Sequence, residues 1–260
     1  MKAAWPWLAF LAIIGALQLI TGLEVDWTTW KPATCMPNEC FCEHLRDDWI
    51  RQPANTWSNM GFVLVGLLII ARPMPKTDTD APLRDNWRFR IAYGLMAMFI
   101  GLGSWWYHAS MSFAGQWFDV MGMYLLPTFL VAYNGVRLGR IAMRGFLSAW
   151  LLVNALLGLM LAFAAQLRRP VFAALLAILF ASELYTGKKR IAVLTTKWLW
   201  SALFTFAVAW GIWNLDRHGI VCDPHSLAQG HAVWHLLCAV STWLLYRYYC
   251  SARGPLHRPT

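Results

Sequence analysis

Residues 145–163 read GFLSAWLLVNALLGLMLAF, nineteen positions without a single charge. A helix of a water-soluble protein shows an apolar stripe backed by a charged face, whereas this segment is apolar all round, as a bilayer-spanning helix must be. Seven more stretches read the same way, near 4–22, 54–71, 91–109, 117–136, 170–186, 198–215 and 229–246. Each approaches the roughly 20 residues that a hydrocarbon core requires, and tilt accommodates the shorter ones. Only Gln166 to Pro170 divides the stretch 145–163 from the next. The expected fold is all-α, a polytopic membrane helix bundle.

Composition agrees. Of 260 residues, 58% are hydrophobic and 13% charged, against about 25% charged in an ordinary globular domain. Disordered tails, coiled coils and nucleic-acid modules need charge or polar tracts that are missing here, so no nucleic-acid partner is expected, and no protein partner is evident. The net charge of +9 suggests an anionic partner until the 22 Lys and Arg are placed by connection. They then alternate strongly, 16 on the side of the N-terminus and 6 on the other. The positive-inside rule turns that alternation into a topology of eight spans with both termini cytoplasmic. The first stretch reads as an uncleaved anchor rather than a secretory signal, because Thr21-Gly22-Leu23 is a poor cleavage site.

The cysteines follow this topology. Cys35, Cys40 and Cys42 fall in the first outer loop and Cys222 in the last, where an oxidising compartment permits disulfides. Residue positions alone leave the partner of Cys222 open among the three.

In so apolar a chain the polar residues inside the spans stand out, and such groups usually face a partner, a cavity or a substrate path. The third span ends with Ser104 and His108 at i and i+4, hence on one face. The fourth begins with Asp119 just inside the bilayer, and the eighth carries His231 and His235, again at i and i+4. That spacing lets two imidazoles hold one metal ion. The topology puts all five residues in the outer third of the membrane, although they come from three different helices. Three histidines with one open position are the donor set of catalytic zinc, a carboxylate can act as general acid and base, and a hydroxyl can support an oxyanion. Taken singly, Asp119 also reads as a helix N-cap and Ser104 as a helix-packing residue. His44, His218, His225 and His257 read as surface residues, and Glu183 as a residue that snorkels or pairs with a basic neighbour. In the first outer loop, Asn55, Ser58 and Asn59 lie at i, i+3 and i+4, where they can buttress the site from behind.

These motifs together resemble the alkaline ceramidase family, within the wider group of membrane hydrolases and progestin/adiponectin-receptor-like proteins. The matching elements are Cys42-Glu43, Asn55-Thr56-x-Ser58-Asn59, Gly101-x-Gly103-Ser104-x-x-x-His108, Asp119 and His231-x-x-x-His235, in the family's order. The resemblance implies a seven-helix bundle preceded here by one extra N-terminal helix. It divides the chain into an N-terminal transmembrane anchor over 1–23, an outer Cys-containing loop over 24–53, a seven-helix membrane domain over 54–250 and a cytoplasmic tail over 251–260. It also implies zinc (Zn2+) on His108, His231 and His235, Asp119 acting on the metal-bound water with Ser104 assisting, a disulfide between Cys42 and Cys222, and a membrane lipid substrate, ceramide, whose amide is cleaved to a sphingoid base and a fatty acid. Family members bind calcium (Ca2+) through acidic residues around the Cys-Glu element. Here Leu45 and Gln52 stand where polar and acidic ligands are expected, which argues against calcium dependence and leaves Glu43 as the one candidate ligand. Two other functions compete with amide hydrolysis: a related lipid esterase or phospholipase, and a lipid receptor with structural zinc.

Overall fold

The computed structural model describes residues 4–23, 25–37, 40–72, 83, 86–189 and 191–253. Lys2, Lys76, Arg84, Arg190 and Arg258 of the charge count, His257, and residues 254–260 of the expected tail lie outside the described residues. Every regular element among the described residues is helical. In chain order these are α1 (Trp5–Ile20), α2 (Pro53–Ser58), α3 (Met60–Ile70), α4 (Trp87–Ser110), α5 (Phe113–Arg137), α6 (Met143–Phe163), α7 (Arg168–Lys188), α8 (Thr196–Arg217) and α9 (Gly230–Tyr249). A short 3₁₀ turn, Ala165–Leu167, separates α6 from α7, and α2 and α3 form one rod, Pro53–Ile70. Eight rods therefore stand where eight apolar stretches were read.

The rods are not alike. Pro53–Ile70, Met143–Phe163, Ala165–Lys188 and Thr196–Arg217 are long and apolar enough to cross a membrane, while the apolar α1 is shorter. Helices α6, α7 and α8 turn large apolar side chains outward, Leu152 and Phe204 being 62% and 72% exposed. Such a surface is stable only against lipid. Helices α4, α5 and α9 are as long but more polar, because they are covered by the other helices and carry the functional side chains. The membrane-bundle expectation holds, with the polarity confined to its centre.

Packing in hydrocarbon relies on close approach and on internal hydrogen bonds more than on hydrophobic driving force. At Gly103 of α4 an added Cβ would lie 2.8 Å from the Phe118 carbonyl oxygen of α5, so only glycine lets the two helices meet there. At the far end of the bundle, Glu183 of α7 accepts from Asn134 and Arg137 of α5 and from Tyr248 and Tyr249 of α9. Arg137 and Glu183 are both buried and 3.1 Å apart. This ion pair, read from sequence only as a carboxylate seeking a basic neighbour, ties three helices together. Helix α1 packs on α3, at the edge of the bundle.

Helix starts near the disulfide-bearing end are capped in two ways. Ser112 caps α5 with its own side chain, accepting from Gly115. The starts of α2 and α9 are capped from a distance: Glu43 accepts from the backbone N–H groups of Ala54 and Asn55, and Asp216 accepts from that of His231 at 3.0 Å. A carboxylate at an unsatisfied helix N-terminus meets both free N–H donors and the positive end of the helix dipole.

Candidate active site

Three histidines converge at the end of the bundle where those caps lie. His108 comes from the last turn of α4, and His231 and His235 from the first turns of α9; all three are buried. Their ring nitrogens lie within 4.8 Å of one another, the one such group of metal-ligating side chains among the described residues. Nε2 of His108 and Nε2 of His231 are 3.2 Å apart.

Their hydrogen bonds fix the chemistry of the rings. The Gln52 amide NH2 donates to the Glu43 carbonyl at 2.9 Å, so the side-chain oxygen is the atom facing His108 Nδ1 at 2.8 Å. An acceptor there requires Nδ1 to carry the proton, which leaves Nε2 of His108 with a free lone pair. Ser58 works in the same way. Its one proton goes to the Asn55 carbonyl at 2.9 Å, so its oxygen accepts from His235 Nδ1 at 2.8 Å and His235 also presents a bare Nε2. Among the described residues His231 has no hydrogen-bond partner at Nδ1; its ring lies instead against Phe41, with centroids 3.8 Å apart.

This donor set fits a metal ion. Neutral imidazoles held from behind by hydrogen bonds are the usual ligand form. Metal–nitrogen bonds of about 2.0–2.1 Å in a tetrahedron separate two ligand nitrogens by about 3.3 Å, close to the spacing of His108 and His231.

The loop before α2 is organised around two adjacent residues. Cys42 is joined by a disulfide to Cys222, and its backbone N–H donates to Asp216 at 3.2 Å. Glu43 supplies the cap on α2 and the carbonyl that orients Gln52. One Cys-Glu step thus fixes the start of α2, the start of α9 and, through Gln52, the ring of His108. Burial pushes the Glu43 carboxyl above the usual carboxylate range, opposed by the N–H groups of Asn55 and Ala54. A second disulfide, Cys35–Cys40, closes the chain just ahead of Phe41. Phe41 is therefore held by disulfide cysteines on both sides while it covers His231.

Ser104 of α4 and Asp119 of α5 lie beside each other at the Gly103 crossing. With His231 and His235 they line one cavity of about 900 Å³. The cavity is mostly apolar along its length and reaches Glu183 and Tyr249 at the far end of the bundle. From His235 to Tyr249 that is a depth of about 21 Å at 1.5 Å per residue. One wall is α7 and another α8, whose backbones make little contact with each other.

A family profile described as Ceramidase matches residues 40–258. The chain belongs to the ceramidase family. No curated protein matches it. The matched residues run from Cys40 through all of α2 to α9 and leave α1 outside. Membership in the ceramidase family supports hydrolysis of the amide bond of a ceramide, and it assigns this chain a membrane lipid as substrate.

Of the residues singled out by sequence, the structure gathers His108, His231, His235, Ser104 and Asp119 around one cavity end, and places Ser58 and Glu43 behind it. Asn55 does not reach a histidine with its side chain; its carbonyl orients Ser58 instead. Three contributors were not legible. Gln52 reads only as a missing acid, Phe41 is one residue between two cysteines, and the buried Asp216 carries no signal in the sequence. Nothing in the spacing of Asp216 could have revealed its role, whereas the Cys-Phe-Cys run carried a signal for Phe41.

Proposed function

We propose that this ceramidase family member is a zinc-dependent intramembrane hydrolase that cleaves the amide bond of ceramide-like lipids into a sphingoid base and a fatty acid. The observation that carries this reading is the gathering of His108, His231 and His235, with ligand atoms within 4.8 Å of one another, at the cavity that Asp119 and Ser104 also line, the Nε2 atoms of His108 and His235 being bare. A zinc ion held by the three histidines supplies Lewis acidity and acidifies water to a pKa of about 7.

The chain's own residues do the rest. Asp119 takes a proton from the attacking water and returns it to the amide nitrogen as the carbon–nitrogen bond breaks, so the water oxygen ends on the fatty acid and the amine leaves neutral. Ser104 holds the Asp119 carboxylate towards the cavity. The Asn59 side-chain oxygen is buried without a partner among the described residues, while its NH2 is committed to the Asn55 carbonyl, and Asn59 lines the cavity. That oxygen is an acceptor for an N–H or hydroxyl of the bound lipid. The lipid enters sideways between α7 and α8 and lays its chains along the apolar walls. Glu43 acts in this scheme as a cap on α2 rather than a calcium ligand, each of its oxygens accepting one backbone N–H. The disulfide-bearing end faces the outer, oxidising compartment, with both termini cytoplasmic, as the charge alternation and the two disulfides support.

Metal analysis of the purified protein, joined to mass spectrometry of lipids incubated with wild type and Asp119→Asn, tests the proposal. One zinc per chain is expected in both. Free fatty acid and sphingoid base are expected from wild type, with the rate reduced about 10²–10⁴-fold in the variant. Absence of stoichiometric zinc, or full activity in His231→Ala, defeats it. Release of acid from esters but not amides replaces it with a lipid esterase, and binding without turnover replaces it with a receptor.

A further inference from the structure

Three arginines line the rim of the cavity at its histidine end: Arg168 and Arg169 at the start of α7, and Arg217 at the end of α8. They stand where those two helices wall the cavity. Arg169 and Arg217 both sit over the ring of Trp213, at 5.8 and 5.3 Å from its centroid. The charge of Arg169 is close enough to be repelled by both Arg217 and Arg168. None of the three forms an ion pair among the described residues. Asp216 precedes Arg217, but its oxygens are taken by the backbone N–H groups of Cys42 and His231. Helix α7 is pinned in this place by the Tyr124 hydroxyl, which donates to the Arg168 carbonyl at 2.7 Å.

Such an arrangement attracts an anion. Like charges gathered at the edge of a low-dielectric cavity repel, and basic residues on the outer face run against the topological preference that the rest of the chain obeys. Half of the six Lys and Arg expected on that face meet at this one rim. Guanidinium groups bind phosphate-type oxygens in pairs, which is the chemistry that offsets this cost. The charge of Arg168 also reaches Asp119, so the cluster lies within electrostatic range of the reaction centre. In a sphingoid lipid the headgroup oxygen and the amide nitrogen are on adjacent carbons, so a headgroup at Arg168 leaves the amide near Asp119.

We infer that Arg168, Arg169 and Arg217 form an anionic headgroup site, and that the preferred substrate is an N-acyl lipid bearing a phosphate-type headgroup. The inference rests on the proposed hydrolase reading, and its test separates the two. Purified protein is given an N-acyl sphingoid lipid ending in a free hydroxyl, and the same lipid with a phosphate monoester on that hydroxyl. The phosphate-bearing lipid is expected to show at least about tenfold higher kcat/KM, since a hydrogen bond to a charged group is worth that or more. In the Arg169→Gln/Arg217→Gln double variant, altered at two exposed positions, the ratio should collapse to within about twofold, and Arg217→Lys should keep part of it. Equal rates on the two lipids, or an unchanged ratio in the double variant, overturns the site and leaves the hydrolase intact. A thermal-shift arm reads binding without turnover. Stabilisation by the phosphate-bearing lipid, absent with the neutral one and lost in the double variant, supports the site even if neither lipid is cleaved. An equal shift from inorganic phosphate alone overturns the assignment to a lipid headgroup.

Discussion

The Gln52 side-chain oxygen stands 2.8 Å from Nδ1 of His108 only because its NH2 is held by the Glu43 carbonyl. A neutral residue thereby sets the protonation of a buried imidazole, and Ser58 does the same for His235. Gln52→Ala and Ser58→Ala should each lower metal affinity about 10–100-fold, the usual effect of removing a group that orients a ligand. Gln52→Glu, which keeps an acceptor facing Nδ1, should lose less. Competition with a chelator of known affinity measures all three. An unchanged affinity in both alanine variants would show that the rings are held by packing alone.

The Cys42–Cys222 bond spans 180 residues of sequence and the Cys35–Cys40 bond only 5. Constraint of the unfolded chain grows with loop length, so Cys222→Ser should cost about 2–5 kcal/mol and Cys35→Ser less. Both changes loosen the clamp on Phe41, so both should weaken metal binding beside His231, as should Phe41→Ala. Thermal unfolding in detergent, followed by metal titration, separates the two effects. Equal stability losses from the two disulfides would contradict the loop-length argument.

At the opposite end, Arg137 and Glu183 form a buried pair whose members cannot be removed singly without cost. Arg137→Met leaves the Glu183 carboxylate unpaired except for Asn134 and two tyrosines, and should destabilise by about 3–5 kcal/mol. Adding Glu183→Leu should recover most of that, because an apolar pair of similar volume removes the stranded charge. Metal content should not change in either variant, the pair lying about 21 Å along α9 from His235. Melting temperatures of the single and double variants decide it.

Glu43 gives a pH dependence with a defined sign. Burial raises its folded pKa above the unfolded value of about 4.3. The folded state then holds the proton more tightly, so the contribution of this group to stability is full below the unfolded pKa and is lost as pH rises through the folded one. Glu43→Gln removes the titration. Its melting temperature should fall less than that of wild type across this acid window, and parallel profiles would exclude Glu43 as the source.

Much of this was legible before the structure, and for a physical reason. Hydrocarbon tolerates so few polar groups that Ser104, His108, Asp119, His231 and His235 were conspicuous, and the alternation of Lys and Arg placed them at one depth. The seven-residue run from Gln52 to Ser58 was less readable. Pro53, Asn55 and Ser58 look like ordinary helix-start residues, and only the fold shows that Ser58 serves His235. Glu183 shows the same limit, because its partner lies on another helix, 46 positions away at Arg137.

The sequence by itself determined the class of fold, the apolar stretches that become its helices and the five polar residues that gather at one end of the bundle, since these follow from solvation, which acts residue by residue. Tertiary structure alone decided which groups meet. Glu43 and Asp216 cap helices far from their own, Phe41 lies on His231, and three arginines line one cavity rim. Such pairings depend on which helix faces which and at what height. That is set by close approaches such as Gly103 against Phe118 and by the disulfide from Cys42 to Cys222, which local periodicity does not encode.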